Sequence, residues 1–518
     1  MTTLADQRRL IIALQEAHAA QVIETHISWV LLIGEYAYKI KKAVDLGFLD
    51  YSSLSLREYF CAEELRLNRR TAPDLYLEVV SIGGIVEAPQ LAARPAIEYA
   101  VKMRRFTDDA LMDARLRQGA VQASHIDALA AEMVRFHAQA VELDPHSSYA
   151  TAESIRAAAM QNFAQMRTLL HDESDLQQLV ALQRRTEEEW QACRALFESR
   201  RSAGAVRECH GDLHLGNIAF IGERPVPFDC IEFSPSLRWI DVMDEVAFTM
   251  MDLLHHGRSD LAWRYLNAYL EASGDYAGVG VLRFYLAYRA AVRAKVEAIR
   301  ASQSAHRAQA RRQMLQTSRA YLGLAQACLS GRHAALIITH GLPGSGKTTF
   351  AQYALEQIGA VRIRSDVERK RLFGLSALEQ SSRLDTDIYS RDATQRTYAR
   401  LHELAHMLLG LGYTVLVDAA FLRIEERQQF RALALSLDVP FAIASLDAEM
   451  RILRERLERR RCDASEADVQ VLGKLKTVRQ ELTVVELGEA LHFDTARSPL
   501  SRMNNSGWRG LLQRIRSF

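Results

Sequence analysis

Asp212 and Asn217 stand five residues apart in the run Cys209-His210-Gly211-Asp212-Leu213-His214-Leu215-Gly216-Asn217, and Asp229 follows the apolar pair Pro227-Phe228. Transfer of a phosphoryl group to a hydroxyl needs one carboxylate to orient the hydroxyl and accept its proton. It also needs a carboxamide and a second carboxylate to hold the magnesium ions that bridge the phosphates. Asp212 is the candidate base, and Asn217 and Asp229 are the candidate metal ligands. A lone His-Gly-Asp reads as a turn; the added Asn217 and Asp229 at this spacing make it a catalytic loop.

A second phosphate-handling pattern lies more than a hundred residues on. Gly341-Leu342-Pro343-Gly344-Ser345-Gly346-Lys347-Thr348 follows the strand-like Leu336–Thr339 and opens the helical run Thr349–Ile358. Glycines at Gly341, Gly344 and Gly346, with Ser345 among them, let backbone amides wrap phosphates at a helix N-terminus. Lys347 is placed to reach the β- and γ-phosphates and the Thr348 hydroxyl to ligate magnesium. Asp366 ends the next strand-like run, with Arg369 three residues later, which suits an acceptor hydroxyl and a substrate anion. Asp418, at the end of Thr414–Val417, fits the acidic group near the magnesium. A basic segment holds Arg451, Arg454, Arg456, Arg459, Arg460 and Arg461. Arg456 and Arg460, one helical turn apart, are the preferred lid arginines; a solvated basic face is the plain alternative.

The first pattern also requires a strand lysine over the α/β-phosphates and a helical glutamate to fix it. Lys39 and Lys41 share one face of the strand 36–42, because side chains alternate. Lys39, deeper in the strand, is preferred. Glu64 shares the inward face of helix 55–70 with Phe60 and Leu67 and is preferred over Glu63. Met103, in the strand-like run Ile97–Phe106, is the candidate adenine-lining residue. No Gly-x-Gly-x-x-Gly loop precedes Lys39.

The elements that must position these groups divide into two rhythms. Residues 22–48 read as a hairpin turning at Gly34-Glu35, and Leu75–Ile82 opens a second hairpin turning at Gly83-Gly84. Helical periodicity dominates 108–200 and 241–328. Beyond Ser330-Gly331-Arg332, short β-rich runs (Leu336–Thr339, Val361–Ile363, Thr414–Val417, Phe441–Leu446) alternate with helices, the mark of a parallel sheet with crossovers.

The chain has 518 residues, too many for one core. Apolar residues make up 48% and charged residues 25%, with a formal charge of +1, so there is no strong nucleic-acid signal. Six scattered cysteines without a CxxC pair argue against a disulfide framework or zinc ribbon and fit a reducing, cytoplasmic setting. No apolar stretch is long enough for a transmembrane helix, and the N-terminus does not read as a signal peptide.

His210-Gly211-Asp212-x-His214-x-x-Asn217 with Asp229 resembles the aminoglycoside-phosphotransferase and choline-kinase-like group. The resemblance covers about 20–325 and implies a two-lobed kinase fold acting on small-molecule hydroxyls. The second half, over about 335–495, resembles P-loop kinases of the polynucleotide-kinase and zeta-toxin-like group, with Asp366-x-x-Arg369 matching their acceptor-activating pair. The order of the halves resembles a bacterial fusion of the two. The expected fold class is therefore α/β multidomain: a two-lobed, protein-kinase-like α+β domain, then a P-loop NTPase three-layer α/β/α domain with a parallel sheet. The expected boundaries are 1–325 (small lobe about 20–106, helical lobe about 107–325), 334–497, and a C-terminal amphipathic tail 498–518.

The expected activity is an ATP- and magnesium-dependent phosphotransferase with two ATP sites and small-molecule acceptors. The alternative makes one half the kinase and the other an ATP-binding or ATP-hydrolysing regulator. His402-Glu403-Leu404-Ala405-His406 also matches the zinc-protease pattern His-Glu-x-x-His. It lacks a third ligand at helical spacing, which makes metalloprotease the remote alternative. In the tail, Trp508, Leu511, Leu512, Ile515 and Phe518 form a helical stripe, expected to dock on its own domain or a partner more readily than on an anionic membrane.

Overall fold

The computed structural model describes residues 3–47, 49–304, 308–383, 387–459, 464–495 and 506–515. Contacts group the chain into two compact units: Met1–His256 with Phe284–Ala325, and Gly257–Arg283 with Gln326–Phe518. Residues 257–283, placed by the sequence in the first domain, thus group with the second.

The first unit begins with a six-stranded antiparallel sheet. Its strands are β1 (Gln21–Glu24), β2 (Ser28–Ile33), β3 (Tyr36–Lys41), β4 (Tyr76–Ile85), β5 (Ala88–Leu91) and β6 (Ala96–Arg104), in the order β1-β2-β3-β6-β4-β5. Alternation assigns the two faces. Ile40 lies opposite Ala100, and both join Leu10, Leu14, Trp29 and Leu31 in a core under helix Leu4–His18. Lys39 lies opposite Val101, on the other face, where Cys61 of helix Leu54–Asn68 packs with Leu75, Tyr76 and Val101. Ser53 caps that helix by accepting the Leu56 amide at 3.2 Å.

The hairpin turn expected at Gly83-Gly84 is displaced. β4 runs on through both glycines, pairing Gly83 with Gln90 and Gly84 with Pro89, and the chain reverses between Ile85 and Ala88. Turn-forming residues here yield to edge pairing with β5.

The helical part of the first unit carries two small ribbons, β7 (Val206–Glu208) with β10 (Trp239–Asp241) and β8 (Ile218–Ile221) with β9 (Arg224–Pro227). Behind them runs helix Val242–His255, buried from Val242 through Leu253.

The second unit is built on a five-stranded parallel sheet: β11 (Ala335–His340), β12 (Val361–Arg364), β13 (Thr414–Asp418), β14 (Phe441–Asp447) and β15 (Ala490–Asp494), in the order β12-β13-β11-β14-β15. β11 and β13 are buried at every residue, as in a sheet covered by helices on both faces. Helix Lys347–Ile358 buries Phe350, Ala351, Ala354 and Leu355 against Ile337, Leu416 and Ala444. β15, which the sequence reading did not identify, adds Phe493 to this core.

The tail helix Ser506–Ile515 closes the same core. Trp508 is fully buried and stacks on Phe350 with centroids 5.0 Å apart. Docking on its own unit, rather than on a membrane, is the outcome for the stripe; Phe518 lies outside the described residues. No described helix is long and apolar enough to cross a membrane.

Candidate active sites

In the first unit, facing strands and the helix period bring Lys39 to Glu64. The Lys39 ammonium donates to Glu64 Oε1 at 2.8 Å and to Asp229 Oδ1 at 2.5 Å. Burial opposes the lysine's charge, but Asp229 and Glu64 more than offset it and raise its pKa well above the ordinary value. Glu63, the sequence alternative, points elsewhere and pairs with Arg66 and Arg238. Met103 packs at the edge of the core on the Lys39 face of the sheet.

The candidate catalytic loop and the Asp229 loop are tied at the base of the β8–β9 ribbon. Phe228 N donates to Asn217 O at 2.9 Å, Ile231 N donates to His210 O at 3.1 Å, and His210 Nε2 lies 2.8 Å from Phe228 O. A carbonyl only accepts, so Nε2 carries the proton; burial lowers the His210 pKa and keeps the ring neutral. Asn217 Nδ2 donates to Asp212 O at 2.9 Å and to Asp212 Oδ2 at 3.1 Å. Desolvation acts to raise the Asp212 pKa, but positive charge nearby, from His214 first and then from Arg293 and Arg289, outweighs it and holds the carboxyl below its usual value. Its side chain remains 38% exposed, so an ionised, reachable oxygen is available.

Gly211 has φ +88, and a Cβ there would lie 2.6 Å from Leu237 O, so only glycine fits. Asp229 also sits at positive φ (64°), a conformation rare for a residue with a Cβ, with its amide donating to the Tyr76 hydroxyl at 3.1 Å.

In the second unit the glycine loop joins β11 to helix Lys347–Ile358. A Cβ on Gly341 would lie 2.4 Å from Leu446 O and 2.7 Å from Ser345 Oγ. Lys347 Nζ reaches Gly341 O at 2.9 Å and Leu342 O at 3.0 Å. Desolvation raises the pKa of the buried Asp418 carboxyl against the pull of Arg364, Arg362 and Lys347. A cleft of about 1390 Å³ is lined by Gly344, Gly346, Lys347, Thr348, Asp366, Arg369, Asp418 and Arg456.

Within that cleft Arg369 is 7% exposed and donates to Ile388 O at 2.9 Å and Thr394 Oγ1 at 3.3 Å. Arg456 donates to Gly344 O at 3.1 Å and to Thr495 O at 2.8 Å, so it braces the glycine loop. Arg459 also lines the cleft. Arg460 lies outside the described residues.

Over 455 residues the chain is 30% identical to the uncharacterized protein Rv2004c of Mycobacterium tuberculosis (strain ATCC 25618 / H37Rv), covering 88% of this chain and 89% of that one. The chain belongs to the family of Rv2004c. A family model described as an AAA domain matches residues 336–482 of this chain.

Among solved structures, a choline/ethanolamine kinase family protein from Mesorhizobium loti is 10% identical, covering 63% of this chain and 99% of its own, with a TM-score of 0.36. A gluconokinase from Sinorhizobium meliloti 1021 is 19% identical, covering 35% of this chain and 94% of its own, with a TM-score of 0.27. By its own topology this member of the Rv2004c family joins a region built on a six-stranded antiparallel sheet to one whose five-stranded parallel sheet carries the glycine loop.

Helix Val242–His255 falls in the stretch the sequence marks as helical, but sequence reasoning missed that it holds the loop around Asp212. Glu245 Oε1 accepts His210 N at 2.7 Å and Gly211 N at 2.8 Å, while Oε2 lies 2.9 Å from His137 Nε2. Thr249 Oγ1 donates to Leu213 O at 2.9 Å, and Asp252 Oδ2 accepts Leu215 N at 2.9 Å. Arg289 grips Asp244 through two nitrogens, at 2.6 and 2.7 Å, and reaches Gly211 O at 3.1 Å. The available signal was polar residues spaced four and three apart in an otherwise apolar helix.

His137, Cys209 and Glu245 cluster closely enough to hold a metal, but both Glu245 oxygens already serve loop amides and His137, and burial raises the Cys209 thiol pKa well above its usual value. The zinc-protease alternative is not supported. His402 packs on Phe430, Glu403 pairs with Arg400, and neither histidine belongs to a metal-capable group among the described residues.

Proposed function

We propose that this protein is an ATP-dependent phosphotransferase with two nucleotide sites, each passing a γ-phosphoryl group to the hydroxyl of a small-molecule acceptor. The observation that carries the reading is the single cleft in which Lys347 and Thr348 of the glycine loop meet Asp366 and Arg369. Phosphate-binding and acceptor-side groups share one cavity there, as transfer requires. The residues fit a nucleotide: the loop is too close to Leu446 for any side chain at Gly341, and Ser345 Oγ is buried without a hydrogen-bond partner.

In the second unit, Asp366 orients the acceptor hydroxyl and takes its proton, and Arg369 meets negative charge on the acceptor. In the first, Asp212 has the corresponding role, Lys39 binds the nucleotide phosphates, and Met103 lines the base. Thr348 and Asp418, and separately Asn217 and Asp229, would hold magnesium, which supplies positive charge against that developing on the phosphoryl oxygens.

The test replaces Asp212 and Lys347 separately with alanine and follows ATP consumption across a panel of hydroxylated metabolites. Each substitution is expected to remove a different acceptor-dependent activity. If Asp212→Ala leaves all acceptor phosphorylation intact, the first site is not a kinase. If Lys347→Ala removes only acceptor-independent hydrolysis, the second site is a regulatory ATPase.

A further inference from the structure

A phosphate-gripping lysine needs one glutamate, yet in the first unit Glu64 holds two lysines. Its Oε1 takes Lys39 at 2.8 Å and its Oε2 takes Lys41 at 2.6 Å. Lys41 is 1% exposed and also pairs with the Glu232 carboxylate, which receives the Tyr51 hydroxyl as well. Lys39 continues the chain in the other direction to Asp229. The result is a row of alternating charge, buried from Lys39 to Glu232 and open to solvent only at its Asp229 end: Asp229, Lys39, Glu64, Lys41, Glu232. Its two ends lie three residues apart on one loop, and its two lysines lie two apart on β3.

The row has a functional asymmetry. Lys39 can engage phosphates only by loosening its bond to Asp229, and Glu64 then needs another anchor to remain aimed at Lys39. Lys41 supplies that anchor, because its partner Glu232 is 4% exposed and is itself held by the Tyr51 hydroxyl. Resting on the reading of the first unit as a nucleotide site, we propose that Lys41 and Glu232 are positioning residues that hold Glu64 in place while Lys39 exchanges Asp229 for nucleotide phosphate.

Removing Lys41 alone would leave Glu232 buried and unpaired, which can unfold the unit. The informative variant is therefore the apolar pair Lys41→Met with Glu232→Met, because well-packed apolar replacements of a buried pair tend to preserve folding. Binding of magnesium-ATP is measured calorimetrically on the full chain carrying Lys347→Ala to silence the second site, with thermal unfolding in parallel.

The expected result is an unfolding midpoint close to that of the parent and an affinity weaker by about tenfold, the scale of coupling between contacting charged groups. In a Lys39→Ala background the same pair is expected to produce no further loss, because its effect passes through Lys39. An unchanged affinity, or a loss of equal size without Lys39, overturns the proposal. No magnesium-ATP binding by the Lys347→Ala parent instead overturns the underlying assignment of the first site.

Discussion

Glu271 and Arg364 are joined at 2.7 Å although 93 positions separate them in the chain. The same carboxylate takes Arg362 at 2.8 Å, and Arg364 lies 3.6 Å from Asp418. One turn earlier on the same helix, Ser259–Ser273, Asn267 accepts the Arg362 amide at 2.7 Å and donates to Ala360 O at 2.9 Å. A segment from before residue 284 therefore completes the edge of the P-loop sheet and steadies the arginine beside Asp418.

Glu271→Ala is expected to destabilise the second unit by roughly 3 kcal/mol, since it strands two largely buried guanidinium groups. Urea unfolding of the full chain measures this, and a change below about 1 kcal/mol would show the arginines find other partners.

Glu245→Ala removes the acceptor of two loop amides and of His137 at once. Buried donors left unpaired cost about 1–3 kcal/mol each, so the loop around Asp212 is expected to lose both stability and its activity. Glu245→Gln keeps one carbonyl acceptor and is expected to retain more of both. Equal behaviour of the two variants in denaturation and phosphotransfer assays would contradict this role.

His340, the last residue of β11, is 1% exposed, and burial together with Arg479, Arg427 and Lys347 lowers its pKa from 6.5 to about 3. Below about pH 6.5 the unfolded chain takes up a proton that the folded chain refuses. The contribution is therefore complete above pH 6.5 and is lost as pH falls toward 3, at up to about 1.4 kcal/mol per pH unit. His340→Asn is expected to flatten stability against pH between 6.5 and 4.5, read from chemical unfolding at a series of pH values. Parallel curves for the two proteins would refute it.

Trp508→Ala empties the space over Phe350 and Phe493. A loss of about 3–5 kcal/mol is expected, as for large aromatic truncations in a packed core. Thermal unfolding checks it; an unchanged midpoint would mean the tail helix is not part of the core.

Much of both sites is legible in the sequence because it follows from local periodicity. Strand alternation puts Lys39 on the face of Val101, and helical spacing puts Glu64 on the face of Leu67. The glycine loop declares itself between a strand and a helix. What escapes is set by tertiary contact. Nothing near Glu271 in sequence announces Arg362 and Arg364, and Gly83-Gly84 reads as a turn until β5 is known to pair there. The carbonyls that Arg456 holds, those of Gly344 and Thr495, are likewise distant in the chain from the basic segment that carries it.

Helix Ser259–Ser273 also bears on the order in which the protein can be made. It leaves the ribosome before any strand of the sheet it helps to cover has been synthesised. Its apolar face, including the partly buried Trp263, must wait uncovered while residues 284–325 complete the first unit. A nascent chain halted just before Ala335 would carry a finished first half and an unmatched helix. In that interval the helix presents apolar surface that only the later strands can cover.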